Sequence, residues 1–186
     1  MLNLNLGSGS KRVKNYINVD KYKIFNPDIA HDLEKFPYPF DDNSVDNIIL
    51  SHILEHIGQN PNAFNLIMKE FYRICKNSSL LDITVPHPRN DDFLADPTHV
   101  RSITVQGLRL YDKELNQKWQ KKNAANTPLA LIYNVNFKVK KVRYDLEKTY
   151  FDMMNDRKIS KSELNKMINK YNNVVKQIFI QLEAIK

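Results

Sequence analysis

The feature that most constrains this chain is its opening, where Leu2 to Leu6 alternates leucine with asparagine and runs straight into Gly7-Ser8-Gly9-Ser10, followed shortly by Asn18-Val19-Asp20. Alternation that stops at a glycine turn is the pattern of a strand entering a tight loop. Glycines at that point let the backbone come close to a ligand, and a carboxylate at the tip of the next strand can accept hydrogen bonds from both hydroxyls of a ribose. Together these features describe a nucleoside pocket. Arg12 stands where a dinucleotide fingerprint has its third glycine, and Asp20 follows Gly9 by only eleven residues. That is too short for a full crossover helix and a pyrophosphate seat. A ligand with a ribose and a base but no phosphates fits the shortened turn.

Further along, Tyr16–Asp20, Asp28–Leu33, Val45–Leu50 and Leu80–Val85 read as strands, the last stopped by Pro86. Phe64, Ile67, Met68, Phe71 and Ile74 recur at helical spacing, which predicts an amphipathic helix over about 61–76 with Pro61 in its first turn. Strands alternating with helices or loops predict an α/β fold, a doubly wound and mostly parallel sheet whose ligands bind where the strands end. His87 to about Pro128 is too long and polar for a routine connection, so it is read as a substrate-side insertion after the fifth strand, with a short helix near Thr104–Tyr111. Tyr133–Tyr144 is then strand-like, and Ser160 to about Asn172 is a helix opened by a serine cap. A final, antiparallel strand over Ile178–Ile185 has Ile178, Ile180, Leu182 and Ala184 on its inner side.

At 186 residues and 42% hydrophobic content, residues 1–186 suit one domain with one core. Cys75 is the only cysteine, so no intrachain disulfide can form and a reducing, cytoplasmic setting is expected. No signal peptide or run of ~18 apolar residues is present, which speaks against export or membrane spanning. Residues 1–100 carry ten Lys and Arg against thirteen Asp and Glu, whereas residues 101–186 carry eighteen against eight. The basic half can attract phosphate or nucleic acid, but its cations are dispersed, as on a solvated face.

The opening motifs resemble the first two motifs of class I S-adenosylmethionine (SAM)-dependent methyltransferases, especially the broad type 11 group that begins LNLGCG…NVD. His31-Asp32-Leu33 resembles their third motif. Val45–Leu50 with Ser51-His52-Ile53-Leu54-Glu55-His56-Ile57 resembles the fourth strand and its LEHI continuation. Arg73-Ile74-Cys75-Lys76 and Leu80–Pro86 resemble the run RvLKPGGxLxIxVP, with Asn77-Ser78-Ser79 in place of the glycines. The likeness covers roughly residues 2–105. It implies a Rossmann-like fold and SAM as cofactor, held by Asn5, Gly7, Ser8, Gly9 and Asp20. Asp32 and Leu33 would lie toward adenine, Ser51 and His52 toward the methionine end, and Asp46 would be structural. Asp96-Pro97-Thr98-His99-Val100-Arg101 resembles a segment of some relatives and should overlook the acceptor. There His99 would remove a proton, Arg101 would hold an anionic group and Asp96 would assist. The plainer alternative is a turn capped by Asp96. His87, Tyr111 and Trp119 are weaker candidates for the same region.

The implied reaction is an in-line attack on the SAM methyl by an oxygen or nitrogen. The sulfonium is already activated, so no metal is expected to be needed. A small or sugar-type acceptor is favoured, because Ser51-His52-Ile53-Leu54 replaces the Asn/Asp-Pro-Pro-aromatic motif of amino-directed DNA methyltransferases. One rival is a non-catalytic SAM- or nucleotide-binding module that docks on nucleic acid. Another is a zinc hydrolase, because His52-Ile53-Leu54-Glu55-His56 also fits H-x-x-E-H, although no third ligand is evident.

Overall fold

A computed structural model describes all of residues 1–186. Its strands are β1 (Asn3–Leu6), β2 (Ile17–Asp20), β3 (Ile29–Ala30), β4 (Val45–Ser51), β5 (Cys75–Pro86), β6 (Phe137–Leu146) and β7 (Val175–Ala184). They form one sheet in the order β3-β2-β1-β4-β5-β7-β6. The first five are parallel, and β7 lies antiparallel between β5 and β6. The Rossmann-like mixed sheet and its antiparallel C-terminal strand are thus as the sequence predicts. No helix is long and apolar enough to cross a membrane.

The leucine-asparagine alternation of β1 divides the sheet into two unlike faces. Leu4 and Leu6 are fully buried in a cluster with Val19, Ile48, Leu50, Leu81, Ile83, Ile180 and Leu182, all on one face. On the other face Asn47 donates to Asn3 Oδ1 at 2.9 Å, and Gln181 donates to Asp82 Oδ1 at 2.9 Å. The core is therefore one-sided along the centre of the sheet. It is closed by helix α1 (Pro61–Ile74), whose Phe64, Ile67, Met68, Phe71 and Ile74 are buried against it. Asn60 caps α1 by accepting from the Asn62 amide, and Pro61 occupies the first turn, where its missing N–H costs nothing.

Helix α1 passes directly into β5 at Cys75, two residues earlier than the predicted end of the helix, and β5 begins well before Leu80. Between the pairs Val45↔Cys75 and Asn47↔Leu80 the register shifts, and the extra residues bulge out. Ser78, within the run that replaces the family glycines, takes the left-handed conformation at φ +63°. The third strand is shorter than predicted: only Ile29–Ala30 pair, and Asp32-Leu33 continue as loop.

The insertion holds more helix than its polarity suggests, α2 (Asp91–Ala95), α3 (Val105–Arg109) and α4 (Lys113–Lys121), and a further helix, α5 (Leu129–Tyr133), follows it. The predicted strand start at Tyr133 is corrected to Phe137, because α5 ends in a left-handed Asn134 and Val135 turns into the core. Helices α6 (Lys148–Asn155), which the sequence reading missed, and α7 (Lys161–Lys170) bridge β6 to β7 around a small cluster of Ile159, Leu164 and Val174. Ser160 and Glu163 form a capping box on α7, as the serine cap predicts.

The core account yields a direct test. Phe71 is fully buried between α1 and the sheet, so Phe71→Ala should lower stability by about 3–5 kcal/mol in a urea titration, with little change in slope.

Candidate active site at the carboxyl ends of the strands

The chain between β1 and β2 contains no helix, so other bonds must hold it. The Gly7 and Ser8 amides donate to Val19 O at 2.8 and 3.0 Å. Buried Asn5 donates to Lys11 O and to Asn18 Oδ1, and Asn18 Oδ1 also accepts from the Val13 amide. At the tip of β2, Asp20 accepts from the Gly9 amide through Oδ2 and from the Tyr22 amide through Oδ1, both at 2.8 Å. Gly7 has φ +67°, and a Cβ there would fall within the Ile53 side chain, 2.7 Å from Cδ1. Gly9 has φ +49° and open space on its Cβ side.

These elements border a cavity of about 490 Å³, within the range of small-molecule sites. Gly7, Gly9 and Asp20 form one wall; Asp32 and Leu33, just past β3, form another. Tyr22 and Phe25, edge to face at 6.2 Å, add an aromatic wall that the sequence reading missed. Their signal was position alone, two exposed aromatics directly after the Asp20 carboxylate. His52, Ile53, His56, Ile57 and Thr98 close the far end. Asn5, Ser8 and Ser51 do not line the cavity. Asn5 braces the loop from behind, and Ser8 Oγ is buried without a partner.

Beyond β4, His52 takes the left-handed conformation at φ +53°, a strain on the order of 1 kcal/mol for a residue with a Cβ. It is held there by its amide donating to Thr84 O at 2.8 Å. Its Nε2 lies 3.1 Å from Gln177 Oε1, and Gln177 Nε2 donates to Asp145. Gln177 is thereby oriented with its oxygen to the ring, so His52 Nε2 carries a proton. Its Nδ1 lies 3.3 Å from Glu55 Oε1, and that carboxylate raises the His52 pKa above its ordinary value. Glu55 is fully buried in the short 3-10 turn Leu54–His56, and neither carboxylate oxygen has a hydrogen bond. Such a group costs more than the ~1–3 kcal/mol of an unpaired neutral one.

The Asp96–Arg101 segment folds onto this turn because the Val100 and Arg101 amides both donate to Glu55 O, at 2.8 and 3.2 Å. That brings the His56 and His99 rings to 4.6 Å between centroids. His99 Nδ1 donates to Phe93 O at 2.7 Å, so Nε2 is the nitrogen with a lone pair. Asp96 caps the segment, accepting from the Thr98 amide and hydroxyl, and these bonds lower its pKa. Arg101 donates to Gly58 O through Nε and Nη2 and covers the Phe64 ring at 4.4 Å. His52 and His99 also border a polar cleft of about 130 Å³ with Pro86, Asp92, Lys176 and Gln177. Tyr111 is buried away from the cleft and His87 opens on a different groove, while three cations of β6 are paired, Lys138 with Glu114, Lys140 with Glu183 and Arg143 with Asp145.

Residues 5–82 match a methyltransferase domain family, of type 11. Over that stretch the chain is similar to the SAM-dependent methyltransferases. No curated protein matches the sequence. A SAM-dependent methyltransferase from Archaeoglobus fulgidus has a similar solved structure, with TM-score 0.64 and 16% identity over 97% of this chain and 85% of that one. One from Methanosarcina mazei gives TM-score 0.56 and 13% identity over 98% and 92%. The [4+2]-cyclase SpnF shares the fold at TM-score 0.54 and 12% identity over 98% and 75%, so the sheet alone does not dictate the chemistry.

The two loop glycines should respond differently to substitution. Gly7→Ala is expected to lower folding stability by about 2 kcal/mol or more, since it adds a clash to the backbone strain. Gly9→Ala should cost only the strain, about 1 kcal/mol, while weakening SAM binding. Parallel urea melts and calorimetry check both outcomes.

Proposed function

We propose that the 490 Å³ cavity holds SAM and that the methyl group passes to an oxygen or nitrogen of a small polar acceptor entering beside His52 and His99. The observation that carries this reading is the state of Asp20. A carboxylate offers about four acceptor positions, and the Gly9 and Tyr22 amides use two of them. The remainder serve the two ribose hydroxyls. The adenine edge presents a donor amino group beside a ring acceptor, which Asp32 and the Leu33 amide complement, with Tyr22 and Phe25 against the base. The methionine end then lies along Gly7 and Gly9 toward His52, with Asn5, Ser8 and Ser51 supporting the loop and strand from outside the cavity.

In the transfer, the acceptor atom forms a bond to the methyl carbon as the carbon–sulfur bond breaks, leaving S-adenosylhomocysteine as a neutral thioether. The protein's tasks are alignment and, for a hydroxyl, removal of its proton. His99 Nε2 is the base in this scheme, with Asp96 Oδ2 3.9 Å away to steady the imidazolium. Arg101 acts as a positioning residue, since its guanidinium is occupied by Gly58 O and Phe64. A polar acceptor is favoured because five of the six residues around the cleft, His52, Asp92, His99, Lys176 and Gln177, carry polar or charged side chains.

Calorimetry with S-adenosylhomocysteine on wild type and Asp20→Asn tests the cofactor reading. Wild type should bind in the micromolar range and the variant at least about tenfold more weakly, equivalent to ~1.4 kcal/mol. Equal binding by the two proteins contradicts the ribose contact.

A further inference from the structure

We infer that Glu55, His56 and His99 form a binding site for a divalent cation of the zinc class, set between the SAM cavity and the acceptor cleft. One ligand atom from each of these residues lies within 4.8 Å of the others. The H-x-x-E-H pattern alone offered only neighbours along one turn. The fold discards that arrangement: His52 moves to the edge, Glu55 becomes a candidate ligand, and His99 arrives from the insertion.

Three independent features point to a cation. The first is Glu55, fully buried with neither carboxylate oxygen hydrogen-bonded and only the His52 ring nearby as a counter-charge, an unfavourable state for that group. His52 Nδ1, 3.3 Å from Oε1 but out of line for a hydrogen bond, leaves Oε2 with nothing. The second is the protonation pattern of the imidazoles. Thr98 Oγ1 donates to Asp96 Oδ1, so it must accept from His56 Nδ1, which frees the His56 Nε2 lone pair. His99 Nδ1 donates to Phe93 O, which frees the His99 Nε2 lone pair in the same way. A ring whose other nitrogen donates to an oxygen is the usual setting of a metal-bound histidine. The third is anchoring: the Val100 and Arg101 amides on Glu55 O hold the two chain segments together whether or not a cation is present.

Two imidazoles and one carboxylate suit zinc and its neighbours over magnesium or calcium, which prefer all-oxygen sites. Bonds of about 2.0–2.1 Å set tetrahedral ligand atoms about 3.4 Å apart, so the triad closes by roughly an ångström on binding. Three protein ligands leave a coordination position open. The triad itself borders both spaces, with His56 in the wall of the cavity and His99 in that of the cleft. An acceptor hydroxyl bound there loses its proton more readily, passing it to solvent water, and its oxygen then attacks the SAM methyl. In the loaded enzyme the cation takes over activation from His99. This role rests on the methyltransferase reading of the cavity; the cation site itself does not.

The test is calorimetric titration of chelator-dialysed full-length protein with zinc chloride and, separately, magnesium chloride. One equivalent of zinc is expected to bind at micromolar affinity or tighter, with magnesium at least a hundredfold weaker. Glu55→Gln and His99→Ala should each weaken zinc binding tenfold or more, while His87→Ala, outside the triad, should not. Less than one equivalent on wild type, or unaltered affinity in both triad variants, overturns the proposal, and the wild-type titration decides even if a variant fails to fold. S-adenosylhomocysteine binding by the same metal-free protein is expected to persist, which separates failure of the cation site from failure of the cofactor reading.

Discussion

The hydrogen bond from the Gly9 amide to Asp20 Oδ2 is the constraint on which the site depends. In a sheet whose first crossover lacks a helix, the Gly7 and Ser8 amides on Val19 O hold the start of the loop after β1 to β2, and the Gly9 bond carries that hold to the Asp20 side chain at the cavity wall. A partly buried bond of this kind contributes a net ~0.5–1.5 kcal/mol. The loop behind it is held by the same logic, with Asn5 and Asn18 replacing a helix by side-chain amides that satisfy Lys11, Val13 and Tyr16. Stability and the shape of the cavity wall thus share one small network, and a change that loosens the loop alters both.

The other end of the site rests on a different device. A short turn after β4 buries Glu55, and the backbone amides of Val100 and Arg101 fasten the insertion to it. The approach of His99 to His56 follows from that junction, whereas His52 is held in its strained conformation by Thr84 O and its ring is oriented by Gln177. The insertion therefore does more than cover the cleft: it supplies the side chain that faces the strand ends.

Much of this was legible in the sequence because the signals were local. The strand-glycine-carboxylate opening pointed to residues that do line one cavity, Gly7, Gly9 and Asp20, and the alternation of Leu4 and Leu6 with Asn3 and Asn5 is the local trace of the one-sided core, since a parallel strand buried on both faces reads as a continuous apolar run. The eleven-residue step to Asp20 correctly left no room for a helix. What escaped depended on tertiary contact. Helix α5 precedes β6 because Val135 and Phe137 turn into a core assembled elsewhere, and α6 gains its apolar side only by packing near α7 and Leu146. The contacts of Arg101 escaped for the same reason: its partners, Gly58 O and the Phe64 ring, are some forty residues away in the chain.

The most direct measurement is a crystal structure of the complex with S-adenosylhomocysteine. The account predicts both ribose hydroxyl oxygens at hydrogen-bond distance, about 2.6–3.0 Å, from the Asp20 carboxylate, with the thioether sulfur directed toward His52. A ligand seated elsewhere, or a ribose with no contact to Asp20, would contradict it.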